Sequence, residues 1–320
     1  MANIWDGTHL FIWQPWEVFG GDANAIIAKL KELGVTGVIL KYSDGNLVGD
    51  PVSQRFMAEF KRLAPLFKKE GLTVGGWTYQ YLTDVDGEVD ALRQAVEAGA
   101  DWIVLDAEKD VTGKNALVTQ YGQKVRALFP NLKIGLSSYA IADYHKEVPF
   151  NEYAAFVDVM MPQIYWSTMG WDVAVAFNAS IASYRKFGKP IAPTGQAYDG
   201  ATSADMARFV QLCKQAGFTH VSWWDMQHCT DEHFCGIKSN LILPTVSATS
   251  IAPATLSPKA AALNDLPADV PADAWFAKAV EYVIREGIMG VDANGNFNPD
   301  QPVTRAMLAQ TIYNLYHQKA

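Results

Sequence analysis

Eight short apolar runs recur along residues 9–227 at intervals of about 25 to 35 residues, and most end in polar or aromatic side chains. This spacing matches a βα unit, in which each strand is followed by a helix. The segments between the runs show the amphipathic pattern of helices. The runs are HLFIWQ (9–14), GVILKY (37–42), TVGGWTYQY (73–81), DWIVLDAE (101–108), KIGLSSYA (133–140), VDVMMPQIYW (157–166), PIAPTGQAY (190–198) and HVSWWDMQ (220–227).

The intervening segments also carry helix boundaries. Residues 22–34 predict a helix with Asp22 as its N-cap and Gly34 at its C-terminal end, and residues 86–100 predict another. Alternating strands and helices favour a parallel sheet. About eight units in this length favour a closed (β/α)8 TIM barrel. The alternative, a doubly wound open sheet, requires a GxGxxG turn after the first strand, which the sequence lacks.

The sequence changes character twice after the last apolar run. Residues 244–262 are rich in Ser, Thr, Pro and Ala and predict a linker, which separates a barrel domain (1–243) from a C-terminal module (263–320). The module contains an amphipathic stretch, a turn-rich loop and a second helical stretch that starts at Thr304. We predict a small all-α module. Since about 58 residues are marginally stable alone, we expect the module to dock on the barrel or to pair with its own copies.

Composition excludes several classes of function. The net charge is −8 and no Lys- or Arg-rich run occurs, so the sequence predicts no nucleic-acid partner. No apolar stretch reaches the length of about 18 residues that a membrane span needs, so we expect no membrane partner. The first residues lack the basic and apolar regions of a signal peptide. If Met1 is the native start, we expect synthesis in the cytoplasm without a standard export signal.

The cysteines and histidines show no metal-ligand spacing. Cys213, Cys229 and Cys235 form no CxxC pair, and the six histidines form no HExxH or HxH pattern. We therefore predict neither a metal nor a cofactor. A disulfide framework is not expected, although a local Cys229–Cys235 bridge is left as an alternative.

The fourth apolar run ends in two carboxylates, Asp106 and Glu108. Residues two apart on a strand share a face, and TIM-barrel enzymes keep their chemistry at the C-terminal strand ends. Two carboxylates held together raise one pKa, as glycosidic cleavage requires. We predict Glu108 as the general acid and Asp106 as the group that stabilises positive charge or orients an N-acetyl group. The alternative is a structural salt bridge with Lys109 or Lys41.

Polar and aromatic side chains also follow other strands, where a barrel core would have Val, Ile and Leu. Together they predict a sugar-binding cleft at one end of the barrel. The predicted substrate-binding residues are Trp77, Tyr79, Gln80, Gln163, Gln196, Asp199, Trp224 and Asp225.

The C-terminal module resembles the S-layer homology (SLH) module. The matching residues are Asp265, Pro267, Asp273, Trp275, EGIMG (286–290), Gly295, Phe297, Pro299, Asp300 and VTRA (303–306); Met307 stands where the family has an acidic residue. The resemblance implies binding to secondary cell-wall polysaccharide. Arg305 would pair with a sugar carboxylate and Trp275 would stack on a sugar ring; alternatively, Trp275 is core and Arg305 a surface residue. Because family proteins commonly carry three modules, one copy implies trimers or weak binding.

The barrel half resembles two kinds of glycoside hydrolase. Chitinase-like barrels carry DGxDxDxE on the fourth strand; Asp101, Asp106 and Glu108 match it, and Trp102 and Val104 replace the Gly and the first inner Asp. In these enzymes a tyrosine on the sixth strand binds the reacting acetamido group, which implies a catalytic role for Tyr165. Lysozyme-like barrels also carry DxE on this strand. They begin with an Asp on the first strand, where this chain has only Asp6 nearby.

These features predict a peptidoglycan hydrolase that cuts between N-acetylated amino sugars with retention and is held on the cell wall by its SLH module. Without a signal peptide, such an enzyme fits a phage or prophage endolysin. One alternative is an exported surface glycosidase that acts on chitin or another polysaccharide. The other is a non-catalytic, wall-bound lectin.

Overall fold

The computed structural model describes residues 3–244, 266–271, 273–274, 276–285, 288–292, 295–299, 301, 308–309 and 311. The chain forms two compact units, Met1–Ser247 and Ala248–Ala320. Most of the predicted linker, from residue 245 onward, lies outside the described residues.

The first unit is a closed barrel of eight parallel strands in sequence order, with β1 paired to β8. The TIM-barrel prediction is confirmed. The strands are β1 Gly7–Ile12, β2 Gly37–Asp44, β3 Thr73–Tyr79, β4 Trp102–Asp106, β5 Ile134–Tyr139, β6 Val159–Ile164, β7 Thr194–Gln196 and β8 His220–Trp224.

Helices follow the strands and cover the outside of the barrel. The first shows how local sequence sets the ends: the Asp22 carboxylate accepts the N–H groups of Asn24 and Ala25, and Gly34 ends the helix with a φ of 73°. The predicted boundaries are thereby confirmed. The helices are α1 Ala23–Leu33, α2 Pro51–Lys69, α3 Val85–Glu97, α4 Asn115–Leu128, α5 Phe150–Ala154, α6 Trp166–Met169, α7 Val173–Arg185, α8 Ser203–Gln215 and α9 Asp231–Ser239.

Apolar side chains fill two layers of the first unit. One lies between the strands and the helices. The other fills the inside of the barrel, where His9 and His220 stack at a ring distance of 5.2 Å. Because the interior is packed, the barrel encloses a core and not a pore. The interior apolar residues are Trp5, Phe11, Ile39, Trp77, Trp102, Val104, Val159, Met161 and Ala192.

The second unit contains α10, Ala277–Arg285, whose buried face includes Ala277 and Val280. The Asp269 carboxylate accepts the backbone N–H groups of Phe297 and Asn298 at 3.0 and 2.6 Å, which holds the turn-rich loop. Trp275, Arg305 and the predicted start of the second helix at Thr304 lie outside the described residues.

Candidate active site

The carboxylate pair stands at the C-terminal mouth of the barrel. Asp106 is the last residue of β4 and is 8% exposed, and Glu108 precedes a short 3-10 turn at Lys109–Val111. Ala107 between them is buried in the strand–helix layer, whereas both carboxylates line a cavity of about 370 Å³. Strand alternation thus directs the pair to one face, as predicted from the sequence.

Two neighbouring strands hold the Asp106 carboxylate in place. The Gln163 side-chain amide donates to Asp106 Oδ1 at 2.8 Å and to Ser137 Oγ at 3.1 Å. Asp106 lies beside Ser137 in the β4–β5 register, and Gln163 lies beside Tyr139 in the β5–β6 register. A buried carboxylate that accepts a bond from a fixed amide is locked in one rotamer, which preorganises the site.

Burial governs the electrostatics of the pair. Burial raises the pKa of Glu108. At Asp106, burial is the larger cause and the negative charge of Glu108 the next, and together they raise the pKa of Asp106 well above its ordinary value. Lys41 and the Gln163 hydrogen bond oppose this rise at Asp106. Two neighbouring carboxyl groups with raised pKa values can supply an acid and a base in the same site.

Aromatic side chains form the walls of the cavity. Trp224 lies with its ring centroid 5.2 Å from that of Trp77 and 6.2 Å from that of Trp13. The Trp77 indole donates to the Ile12 carbonyl at 3.1 Å, and the Tyr79 hydroxyl donates to Asp110 at 2.7 Å. These bonds fix the rings, so the cavity presents rigid flat faces beside the two carboxylates.

A second cavity of about 330 Å³ is lined by Gln163 and Tyr165. Gln163 connects it to the first cavity, because its amide reaches Asp106. The Tyr139 and His145 rings stack in its wall at 3.6 Å, and the Tyr165 ring lies 5.6 Å from that of Tyr198.

The structure brings seven of the predicted site residues to these cavities: Asp106, Glu108, Trp77, Tyr79 and Trp224 line the first, and Gln163 and Tyr165 line the second.

Two predicted binding residues face away from the cavities. Gln80 is fully buried, and its side-chain oxygen accepts the Tyr153 hydroxyl at 2.8 Å. Gln196 is also fully buried, and its side-chain oxygen accepts the backbone N–H of Ser167 at 2.9 Å. Both side-chain oxygens accept hydrogen bonds from the scaffold, and neither residue lines the two cavities.

Two predicted acidic residues also lie outside the cavity walls. Asp199 is exposed on the loop after β7. Asp225 follows β8, is fully buried and accepts a hydrogen bond from the His228 imidazole at 2.6 Å. Neither lines the two cavities, so their proposed contact with substrate is not supported by the geometry.

Six further residues line the first cavity and are not among the predicted site residues. The rule that site residues follow the C-terminal strand ends could have found them, because most follow a strand end or stand near it. They are Trp13, Lys41, Asp44, Tyr81, Lys109 and Asp110.

Asp6, the sole candidate for a first-strand aspartate, precedes β1 at the opposite end of the barrel. It accepts the Thr219 hydroxyl at 2.7 Å and the Asn3 N–H at 2.7 Å. The geometry therefore gives Asp6 a structural role.

Within the described part of the chain, no group of three or more His, Cys, Asp or Glu side chains is arranged to hold a metal. The three cysteines are free. No helix of that part is long and apolar enough to cross a bilayer.

Both halves of the chain are similar to known proteins. Residues 268–307 match the S-layer homology domain, so the predicted module is confirmed. The barrel resembles a class V chitinase from Nicotiana tobaccum, with a TM-score of 0.55 and 9% identity over 73% of this chain and 98% of that chain. It also resembles active domain 2 of a thermostable chitinase from Pyrococcus furiosus, with a TM-score of 0.55 and 10% identity over 74% and 94% of the two chains.

A third similar structure is a chitinase from Chromobacterium violaceum ATCC 12472, with a TM-score of 0.53 and 11% identity over 73% of this chain and 98% of that chain. At these identities the likeness shows the fold. A search of curated protein sequences finds no match.

Proposed function

We propose that this protein is a cell-wall-anchored glycoside hydrolase that cleaves β-1,4 bonds between N-acetylated amino sugars of peptidoglycan. One observation carries the proposal: a buried carboxyl group, Asp106, and a partly buried one, Glu108, line an aromatic-walled cavity at the mouth of a TIM barrel. A raised carboxyl pKa beside a second carboxylate is the requirement of glycosidic cleavage. The SLH domain supports a site of action at the cell envelope.

In the proposed reaction Glu108 donates its proton to the glycosidic oxygen as the bond between that oxygen and C1 breaks. The acetamido carbonyl oxygen of the same sugar bonds to C1, while the Asp106 carboxylate accepts the acetamido N–H and stabilises the positive charge. Tyr165 would bind the acetamido oxygen. Glu108, now a carboxylate, then takes a proton from water. The water oxygen displaces the acetamido oxygen from C1, so the configuration is retained.

A second candidate is an exported glycosidase that acts on chitin. It is favoured by the names of the structures that share this fold, which are chitinases. Both candidates use the same two carboxylates and differ in the polymer. In either case the SLH domain would bind secondary cell-wall polysaccharide through Trp275 and Arg305. Delivery by phage lysis or by export is a separate prediction.

The substrate is tested with purified Gram-positive walls that carry SLH-type proteins, and with chitin, by mass spectrometry of new reducing ends. New N-acetylmuramic acid ends would establish a muramidase, and new N-acetylglucosamine ends from walls a glucosaminidase. Products from chitin alone would support the second candidate. Binding without new ends on any polymer would identify a lectin and overturn the proposal.

The role of Glu108 is tested by Glu108→Gln, which keeps the side-chain volume and removes the acid. We expect hydrolysis to fall by at least about 100-fold, since general acid catalysis contributes about 10²- to 10⁴-fold. Glu97→Gln, on the exposed face of α3, is the matched control. Hydrolysis by Glu108→Gln at the rate of the control would overturn the assignment.

A further inference from the structure

A lysine is buried beneath the first cavity. Lys41 lies on β2 with its side chain 4% exposed, and its Nζ is 3.1 Å from Asp44 Oδ1. The Nζ also lies 4.5 Å from the Trp77 ring centroid and 4.7 Å from that of Phe56. Burial lowers the pKa of Lys41, and the negative charges of Asp44 and Asp106 oppose this lowering. A desolvated cation acts strongly on its neighbours.

Strand register places Lys41 in the layer just below the carboxylate pair. Lys41 lies beside Trp77 in the β2–β3 register, and Trp77 lies beside Val104 in the β3–β4 register. Val104 is fully buried inside the barrel, two residues before Asp106 on the same face. Chitinase-like barrels have an aspartate at this position. Here the layer under Asp106 contains a cation from another strand and no carboxylate at position 104.

The two carboxyl groups therefore face different charges. Lys41 and Asp106 line one cavity, and the buried ammonium attracts the Asp106 carboxylate. Glu108 faces Lys109, His145 and the anion Asp110, which reach solvent and are screened by it. We propose that Lys41 is a positioning residue that favours the ionised form of Asp106 and thereby shifts the proton of the pair toward Glu108. This inference rests on the proposed function for its catalytic consequence but not for its charge distribution.

Other acidic side chains around this site also act on Asp106 and Lys41. Asp44 and Glu108 are the anions that act most strongly on Asp106, and Asp50 acts on Lys41 from the start of α2. The surrounding tyrosines stay neutral at the pH of activity because burial raises the pKa of each above its ordinary value; they are Tyr79, Tyr153, Tyr165 and Tyr184.

Two substitutions in the full-length protein should shift the pKa of Asp106 in opposite directions. Lys41→Met keeps the apolar packing against the rings and removes the cation. The ascending limb of the pH–rate profile should then move up by about one pH unit or more. Asp44→Asn removes an anion that competes with Asp106 for the charge of Lys41. The pKa of Asp106 should then fall, so the ascending limb of the pH–rate profile should move down. Lys41→Arg restores the charge and should return the limb toward its wild-type position.

A second readout does not depend on hydrolysis. In protein labelled with ¹³C at the aspartate carboxyl carbons, the Asp106 signal, assigned with Asp106→Asn, should titrate at higher pH in Lys41→Met and at lower pH in Asp44→Asn. Lys68→Met is the matched control, because Lys68 pairs with Asp101 at the opposite end of β4. It should leave the Asp106 titration unchanged.

The outcomes separate this inference from the proposed function. Opposite shifts in the two variants support the role of Lys41, and an unmoved Asp106 titration, or shifts of the same sign, would overturn it. If the wild-type protein hydrolyses no amino-sugar polymer, the proposed function fails. The carboxyl titration then still decides whether Lys41 controls the charge of Asp106.

Discussion

At the residue scale, three buried carboxyl groups of the barrel accept hydrogen bonds from different kinds of donor. Asp106 accepts a side-chain amide, Asp225 accepts an imidazole, and Glu88 accepts the backbone N–H of Leu82 at 2.5 Å. Glu88 is 2% exposed and lies on α3, behind the mouth. Burial of a carboxyl group favours its neutral form, so the ionisation of Glu88 is expected to affect folding more than chemistry.

Glu88 should make stability depend on pH. Burial raises its pKa to about 7, so the folded state binds a proton that the unfolded state releases near its ordinary value. Its contribution to stability is full below that ordinary value and is lost as the pH rises through about 7. Relative to wild type, Glu88→Gln should therefore gain about 2 to 3 kcal/mol of unfolding free energy between about pH 5 and pH 8.

Urea unfolding of both proteins at the two pH values measures this gain, and titrations elsewhere cancel in the difference. Glu97→Gln, whose carboxylate is exposed and paired with Arg93, provides the control. A free-energy difference between Glu88→Gln and wild type that is the same at both pH values would contradict the assignment.

At the element scale, β3 shows how one strand shapes its neighbour. Gly75 lies beside Trp102 in the β3–β4 register, and the Trp102 indole fills the barrel interior where a side chain at position 75 would stand. A Cβ at Gly75 would lie 2.8 Å from the Trp102 ring. Gly76 points to the other side, where a Cβ would approach Tyr42 at 3.1 Å. The glycine pair thus allows large aromatic residues on both faces of the strand.

Gly75→Ala should destabilise the barrel by about 1 to 3 kcal/mol, because the added methyl group overpacks the interior and forces the Trp102 indole to move. Chemical denaturation measures the change. Trp102→Phe provides space at the same contact, so the double variant should lose less than the sum of the two single variants. Additive losses would show that Gly75 and Trp102 are not coupled.

At the scale of the whole molecule, we expect the two units to have separate functions. The barrel has its own core and contains both carboxylates, whereas residues 268–307 carry the SLH match. A compact unit with its own core is expected to fold independently. Catalysis and wall retention should therefore be separable.

A chain that ends at Ser247 should hydrolyse soluble oligosaccharides at the full-length rate and lose its ability to sediment with purified walls. Arg305→Ala in the full-length chain should weaken sedimentation without changing hydrolysis, since a guanidinium pairs with sugar carboxylates through charge-assisted bonds. Undiminished sedimentation of the shortened chain would show that the barrel itself retains the protein on the wall.

Local pattern predicted much of this molecule. Eight apolar runs gave eight strands, and the caps at Asp22 and Gly34 marked a helix to the residue. The two-residue alternation placed Asp106 and Glu108 on one face. These features are readable because strand alternation and helix capping depend on neighbours in sequence. The SLH motif was likewise contained in a short stretch of residues.

Only the tertiary structure decided which polar side chains meet at the mouth. Gln80 and Gln196 look like cleft residues in sequence, yet their amides bond to groups of the scaffold. Lys41 lies 65 positions before Asp106 in the chain, and barrel closure brings both to one cavity. Side-chain direction at a strand end, and contact between distant strands, depend on twist, register and packing across the barrel. Sequence alone therefore identified the carboxylate pair, and the fold determined the charges that surround it.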